Sequence, residues 1–297
     1  MLSAAAAAAG TQQYPAAALY VVATPIGNLA DLSLRAIHVL ALADAVACED
    51  TRVSAGLLRH LGLDKPMLAL HAHNEREASQ TVLARLAAGE RVAYVSDAGT
   101  PAVSDPGAAL VAAAQLAGYR CVPIPGVSSA LAALSVAGDA ASSGFAFVGF
   151  LNARGAERSQ ALTALAAAPA TQVLFEAPHR IEALLAGLAQ ACPARQVTLC
   201  RELTKQFETV ASMPAGALPA WLAADSNRSR GEFVLVLHAL EPAANDGEAD
   251  GATERLLAVL LRELPLKQAV LLAAELSGAS RNALYRRALE LRDAQRE

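Results

Sequence analysis

The chain has 297 residues, room for about two domains, and slightly over half of it (54%) is apolar, which excludes wholesale disorder. A net charge of −4 excludes the whole-protein basic field of a general nucleic-acid binder, so a nucleic-acid substrate would need a local basic patch. Cys48, Cys121, Cys192 and Cys200 form no CxxC pair and suit neither a zinc site nor a disulfide framework, so no metal is expected.

Residues 1–17 open with Met-Leu-Ser and six alanines, without a basic n-region. They read as a disordered leader rather than a signal peptide, and no run of 18 strongly apolar residues suggests a membrane span. The expected location is the cytoplasm. Strand Leu19–Ala23 then ends at Thr24-Pro-Ile-Gly-Asn28, and a helical pattern runs from Ser33 to Ala43. Strand Ala45–Cys48 is followed by Glu49-Asp50-Thr51-Arg52 and helix Val53–Leu61. Strand Met67–Leu70, helix Glu75–Ala88 and strand Arg91–Val95 lead to the loop Ser96–Gly107. Helix Gly107–Ala117, strand Arg120–Pro123, the turn Ile124–Ser129 and a small-residue helix to Val136 complete this part. Short, continuously apolar strands alternating with helices predict an α/β fold with a parallel sheet covered on both faces.

A second unit begins at Phe145–Phe150. It holds strand Thr171–Phe175, helix His179–Gln190, strand Gln196–Cys200, turns near Met213–Pro219 and strand Glu232–His238, and predicts a mixed sheet. The expected division is a leader (1–17), a first lobe (18–140), a second lobe (141–240), an acidic, turn-rich linker (241–253) and a helical module (254–297).

Ligands of parallel α/β sheets bind beyond the carboxyl ends of strands. Three strand ends here carry glycine- and proline-rich loops: Thr24–Asn28, Ser96–Gly107 and Pro125–Ser129. Glycine lets a ligand approach the backbone, and proline lowers loop entropy. Neither GxxxxGK[ST] nor GxGxxG occurs, which argues against an NTPase and against a standard dinucleotide-binding dehydrogenase. An adenosyl group with an amino-acid tail fits such loops better than a polyphosphate.

The three loops resemble the cofactor loops of the tetrapyrrole methylase superfamily, the class III methyltransferases. Further segments resemble one branch of it, the ribosomal small-subunit RNA cytidine 2′-O-methyltransferases. They are Cys48-Glu-Asp-Thr-Arg52, His71-Ala-His-Asn-Glu75, Phe175-Glu-Ala-Pro-His-Arg-Ile181, Arg201-Glu-Leu-Thr-Lys205 and Gly231-Glu-Phe-Val. The resemblance implies a two-lobed tetrapyrrole-methylase-like fold, a homodimer, and S-adenosyl-L-methionine folded into the cleft between the lobes. By position it places Pro25, Ile26, Asp97, Ala98, Gly99, Thr100, Val103, Ser128, Ser129 and Phe175 at the cofactor. The first loop has Pro-Ile-Gly-Asn where the superfamily has Gly-Pro-Gly-Asp, and Asn152 stands where proline is commoner.

Methyl transfer from a sulfonium needs an aligned acceptor, and a ribose hydroxyl is a poor nucleophile that a base would help. Glu49, Asp50, His73 and Glu176 are the candidate bases, each with an ordinary reading as a helix cap or ion-pair partner. Arg52, Arg154, Arg180, Arg201 and Lys205 are candidates for the RNA backbone, with Arg76 and Arg158 beside them. From Arg255 onward eight Lys/Arg stand against five Asp/Glu. Residues 266–287 have a helix-turn-helix layout with its turn at Ser277-Gly278-Ala279, followed by Arg281, Arg286 and Arg287. That module reads as an RNA grip or as a plain helical bundle with a solvated face. The expected partner is small-subunit ribosomal RNA, free or in the assembled subunit. Two other readings stand beside this one: methylation of a tetrapyrrole or other small molecule, and a ligand-sensing DNA-binding regulator.

Overall fold

Short strands of three to six residues, the central ones buried and apolar, set the architecture of the computed structural model, which describes residues 1–152, 155–240 and 251–294. In chain order the first part comprises α1 (Leu2–Ala9), β1 (Ala18–Val22), α2 (Leu34–Leu42), β2 (Ala45–Cys48), α3 (Thr51–Leu61), β3 (Met67–Ala69), α4 (Glu75–Ala87), β4 (Arg91–Val95), α5 (Ala108–Leu116), β5 (Arg120–Ile124) and α6 (Ser129–Ala137). Its five strands pair in parallel in the order β3-β2-β4-β1-β5, so all their carboxyl ends lie on one edge. Strand β2 is buried along its whole length, as expected of a parallel sheet with both faces covered. One face packs Ile37, Leu40 and Leu58; the other packs Val82, Leu86 and Leu110.

The next part comprises β6 (Phe145–Phe150), α7 (Ala156–Ala167), β7 (Thr171–Glu176), α8 (Ile181–Ala191), β8 (Gln196–Arg201), β9 (Thr209–Pro214), α9 (Leu218–Ala223) and β10 (Phe233–Leu237). Its sheet has the order β6-β7-β10-β8-β9 and is mixed: β6 and β7 are parallel, while β10 runs antiparallel to β7 and β8. Helix α8 buries Ile181, Leu184, Leu185 and Leu188 on this sheet, each such side chain worth about 1.5–3 kcal/mol. Helix α6 packs Ala130, Ala133 and Ala137 against Val173, Val234 and Val236, so the last helix of the first lobe covers the second sheet. That packing brings the loop edge of the first sheet to the second lobe.

Two expectations fail here. Residues 2–9, read as disordered, form α1, which buries Ala5 and Ala9 and packs against α2. Alanine is the best helix former, and its small side chain permits close helix approach. Tyr14 fastens the turn that follows, donating to Ala9 O (3.1 Å) and packing at a tilt against the His38 ring, 4.9 Å between centroids. Strand β9 occupies part of what reads as turns; it is an edge strand that alternates half-buried with exposed residues, and its Val210 and Met213 are separated by Ala and Ser, leaving no continuous apolar run.

The described residues from Leu240 onward form a separate compact unit. Its helices are α10 (Gly251–Glu263), α11 (Leu266–Ser277) and α12 (Arg281–Ala294), around Leu257, Val270, Ala273, Leu284 and Ala288. The α11–α12 turn falls at Gly278, in the helix-turn-helix layout expected. Residues 241–250 of the expected linker lie outside the described residues.

Candidate active site

The loops after β1, β4 and β5 meet on the carboxyl edge of the parallel sheet. Thr24 and Gly99 exchange both backbone hydrogen bonds (2.9 and 3.0 Å), and Thr100 Oγ1 donates to Val127 O (3.0 Å). The β4 loop is held rigidly. Ala102 and Ser104 adopt left-handed φ values of 65° and 61°, conformations that persist only where the surroundings impose them. Gly107 has φ 119°, and a Cβ there would lie 2.2 Å from the Tyr94 ring. The Tyr94 hydroxyl donates to Pro106 O (2.6 Å). Glu75 Oε1 accepts from the N–H groups of Gly107 (2.9 Å) and Ala109 (3.0 Å), capping α5. Glu75, quoted above for its segment's resemblance, thus holds the loop.

Between these loops and the second sheet lies a cleft of about 360 Å³. Eight of the ten expected cofactor residues line it: Ile26, Ala98, Gly99, Thr100, Val103, Ser128, Ser129 and Phe175. Pro25 and Asp97 line an adjoining pocket of about 210 Å³ with Leu29, Val53 and Leu57. Glu176, one of the candidate bases, lines it too, whereas the cleft's remaining residues escaped individual notice in the sequence. They include Asp105, Phe150, Pro178, Leu203, Glu232 and Phe233. Most of them lie inside the quoted motifs, so the signal was present at segment level. Phe175 packs edge-on against Phe147 (5.0 Å) and Phe150 (5.6 Å), giving the cleft an aromatic wall.

The candidate bases are dispersed. Glu176 borders the cleft with its carboxylate fully buried, 3.0 Å from Arg180 Nε and 3.6 Å from Arg158 Nη1, and it accepts from Ala177 N–H (3.0 Å). Burial pushes the Glu49 carboxyl above its usual range, reinforced by the charges of Asp97 and Asp105. Asp50 caps α3, accepting from Arg52 N–H (2.8 Å), and the Arg52 side chain holds its carboxyl down at about 2. His73 is exposed in the turn before α4, 6.0 Å from the His71 ring, and lines neither pocket. Asp105 lines the cleft; burial raises its carboxyl, the nearby Ser96 hydroxyl opposes this, and the charge of Asp97 adds to it.

Most candidate cations already have protein partners. Arg52 pairs with Asp50 (2.5 Å) and Arg180 also donates to Leu151 O. Arg201 donates to Arg230 O (2.6 Å) and Phe207 O (3.1 Å), and Lys205 binds Glu202 and Glu232. Arg287 pairs with Glu254 and Glu290 within its own bundle, while Arg281 and Arg286 are exposed there. Arg154 lies outside the described residues.

A parallel lobe and a mixed lobe enclosing a loop-lined cleft define a class of two-lobed α/β enzyme. The family model for tetrapyrrole (corrin/porphyrin) methylases matches residues 18–219, and one described as the RsmI C-terminal HTH domain matches residues 247–292. The ribosomal RNA small subunit methyltransferase I of Escherichia coli O157:H7 is 46% identical over 92% of this chain and 94% of its own length. The protein of that name from Pseudomonas aeruginosa is also 46% identical, over 93% and 98%. The solved structure of a Thermus thermophilus uroporphyrin-III C-methyltransferase complexed with S-adenosyl homocysteine shares the fold. Its TM-score is 0.54 at 20% identity, over 74% of this chain and 97% of that one. The chain belongs to the tetrapyrrole methylase family, and it is an S-adenosylmethionine-dependent methyltransferase.

Proposed function

We propose that the protein methylates the ribose 2′-hydroxyl of a cytidine in small-subunit ribosomal RNA, working as a homodimer in the cytoplasm. The observation that carries this is the coincidence of the cleft's lining with the three cofactor loops, in a chain with near-full-length relatives named as ribosomal RNA small subunit methyltransferases. S-adenosylmethionine, when bound, supplies a methyl group on a sulfonium. The cleft's chemistry suits it: Phe150, Phe175 and Phe233 offer apolar and aromatic surface, and the loops expose backbone where Gly99 allows close approach.

Three carboxylates line the cleft. Glu176 is committed to two arginines and Glu232 to Lys205. Asp105 has no ion pair among the described residues and a raised pKa, which makes it the best placed acceptor for the ribose proton. Alignment in a cleft with fixed walls contributes the larger share, since positioning alone lowers such barriers by several kcal/mol.

Strand β6 supports the homodimer. It is an edge strand whose Phe145, Phe147 and Val148 are exposed, an apolar edge that proteins normally cover. Val148→Glu should sediment as a monomer; an unchanged sedimentation coefficient would count against this surface. In the C-terminal unit, exposed Arg281 and Arg286 on α12 support an RNA grip.

The test is transfer of labelled methyl from S-adenosylmethionine to purified small ribosomal subunits lacking the modification. Label on a cytidine ribose is the expected result. Label on a porphyrinoid and none on RNA would overturn the reading.

A further inference from the structure

Lys205 links the two walls of the cleft. It sits in the loop after β8, and its Nζ donates to Glu202 Oε1 (2.9 Å) and Glu232 Oε2 (3.0 Å). Glu232 and the neighbouring Leu203 both line the cleft. The aliphatic stem of Lys205 lies directly over Gly27, in the loop after β1. A Cβ added to Gly27 would fall 2.4 Å from Lys205 Cγ and 3.1 Å from Thr204 Oγ1. Ile26, next to Gly27, lines the cleft from the opposite wall.

The loop that delivers Lys205 is strained and heavily fastened. Glu202 and Thr204 take left-handed φ values of 53° and 69°, costly for residues with a Cβ. Glu202 and Glu232 are joined twice: Glu202 N–H donates to Glu232 O (3.0 Å), and Glu232 N–H donates to Glu202 Oε1 (2.9 Å). A Cβ on Gly231 would lie 2.5 Å from Glu202 Cγ. Thr204 N–H donates to Glu208 Oε2 (2.6 Å). Glu232 is 74% exposed, and an ion pair so exposed adds little to stability. The exposed Glu232 pair therefore contributes geometry more than stability, while the less exposed Lys205–Glu202 pair anchors the ammonium. Burial pulls the ammonium's pKa down, but the two carboxylates outweigh it and keep Lys205 charged.

We propose that Lys205 is a positioning residue for methyl transfer: it pins Glu232 and the 202–205 loop onto Gly27 and thereby fixes the width of the donor cleft. The inference rests on the cleft being the donor site. It gives Lys205 a task inside the fold instead of a phosphate contact.

The test measures affinity for S-adenosylmethionine by calorimetry without RNA, RNA affinity as a function of salt, and KM for the donor against kcat. Lys205→Ala removes stem and charge, Lys205→Met keeps most of the stem, and Lys205→Arg keeps the charge. Gly27→Ala pushes the stem away from the other side. Lys205→Ala and Gly27→Ala should each weaken donor binding on the order of tenfold or more and raise its KM more than they lower kcat. Lys205→Arg should recover most of the loss, and Lys205→Met should fall between. RNA affinity and its salt slope should stay as in the wild type. If Lys205→Ala does not fold, Lys205→Met and Gly27→Ala decide the matter. Unchanged donor affinity in the folded variants overturns the proposal. So does a salt slope reduced by about one with donor binding intact, the signature of a lost phosphate contact. Donor affinity is read without RNA, so failure of the ribosomal RNA reading, seen in the wild-type transfer assay, is a separate result.

Discussion

The two walls of the cleft are made differently. On the first lobe the wall is backbone: three loops joined by the Thr24–Gly99 pair and by Thr100, with Gly107 seated against Tyr94. On the second lobe the wall is side chain: Phe150 and Phe175, and carboxylates held by Arg158, Arg180 and Lys205. A backbone wall offers close approach and fixed shape, and it is damaged by added volume. A side-chain wall is damaged by removed charge. Substitutions should therefore act through conformation on one side and through unpaired charge on the other.

The largest effect is expected on the first wall. Gly107→Ala places a Cβ 2.2 Å from Tyr94 Cε1 and forces φ 119° on a residue that disfavours it. Overpacking and backbone strain together should cost about 4 kcal/mol, read as a lower denaturation midpoint with loss of methyl transfer. A midpoint within error of wild type would show that the loop yields, and the contrast between the walls would fall. On the second wall, Glu176→Gln leaves Arg158 and Arg180 facing each other without a counter-charge. A cost of about 3 kcal/mol is expected, and Arg158→Leu in the same chain should restore part of it. Additivity of the two substitutions would contradict the pairing.

The Asp105 assignment is sharpened by pH. Its folded-state pKa lies above the ordinary carboxylate value, so the folded protein holds that proton more tightly than the unfolded chain. Its contribution to stability is present at low pH and lost as pH rises through the raised value, while its service as a base begins above that value. Ser96→Ala removes the hydroxyl that opposes the rise. The acid limb of kcat/KM should then move to higher pH; a limb that stays put would remove Asp105 from the base role. The smallest effect is expected outside the cleft. Arg281→Ala and Arg286→Ala should each reduce the salt slope of RNA binding by about one and leave donor affinity unchanged. Loss of donor affinity would contradict an RNA role for that helix.

Much of this contrast is legible from residue patterns, and the limit is physical. Strands such as β2 and β10 declare themselves because burial on both faces leaves continuous apolar runs. The three loops stand out because proline and glycine at strand ends report backbone requirements directly. Side-chain tasks report less. Asp50, Glu75 and Lys205 carry the same charge whether they meet a substrate, cap a helix or clamp a loop, and only the fold shows which partner stands within 3 Å. Helix α1 and strand β9 escaped for a related reason. An alanine run lacks apolar bulk, and the half-buried edge strand Thr209–Pro214 intersperses Val210 and Met213 with Thr, Ala and Ser and ends on Pro, which reads as a turn.

The central claim is that the loops after β1, β4 and β5 and the second-lobe wall together hold the methyl donor. Hydrogen exchange of backbone amides with and without S-adenosylmethionine tests it most directly. Slowed exchange is expected at residues 24–28, 97–104, 126–129, 175–178 and 232–234, with residues 251–294 unaffected. Protection confined to residues 29 and 53–57, or none in these segments, would contradict it.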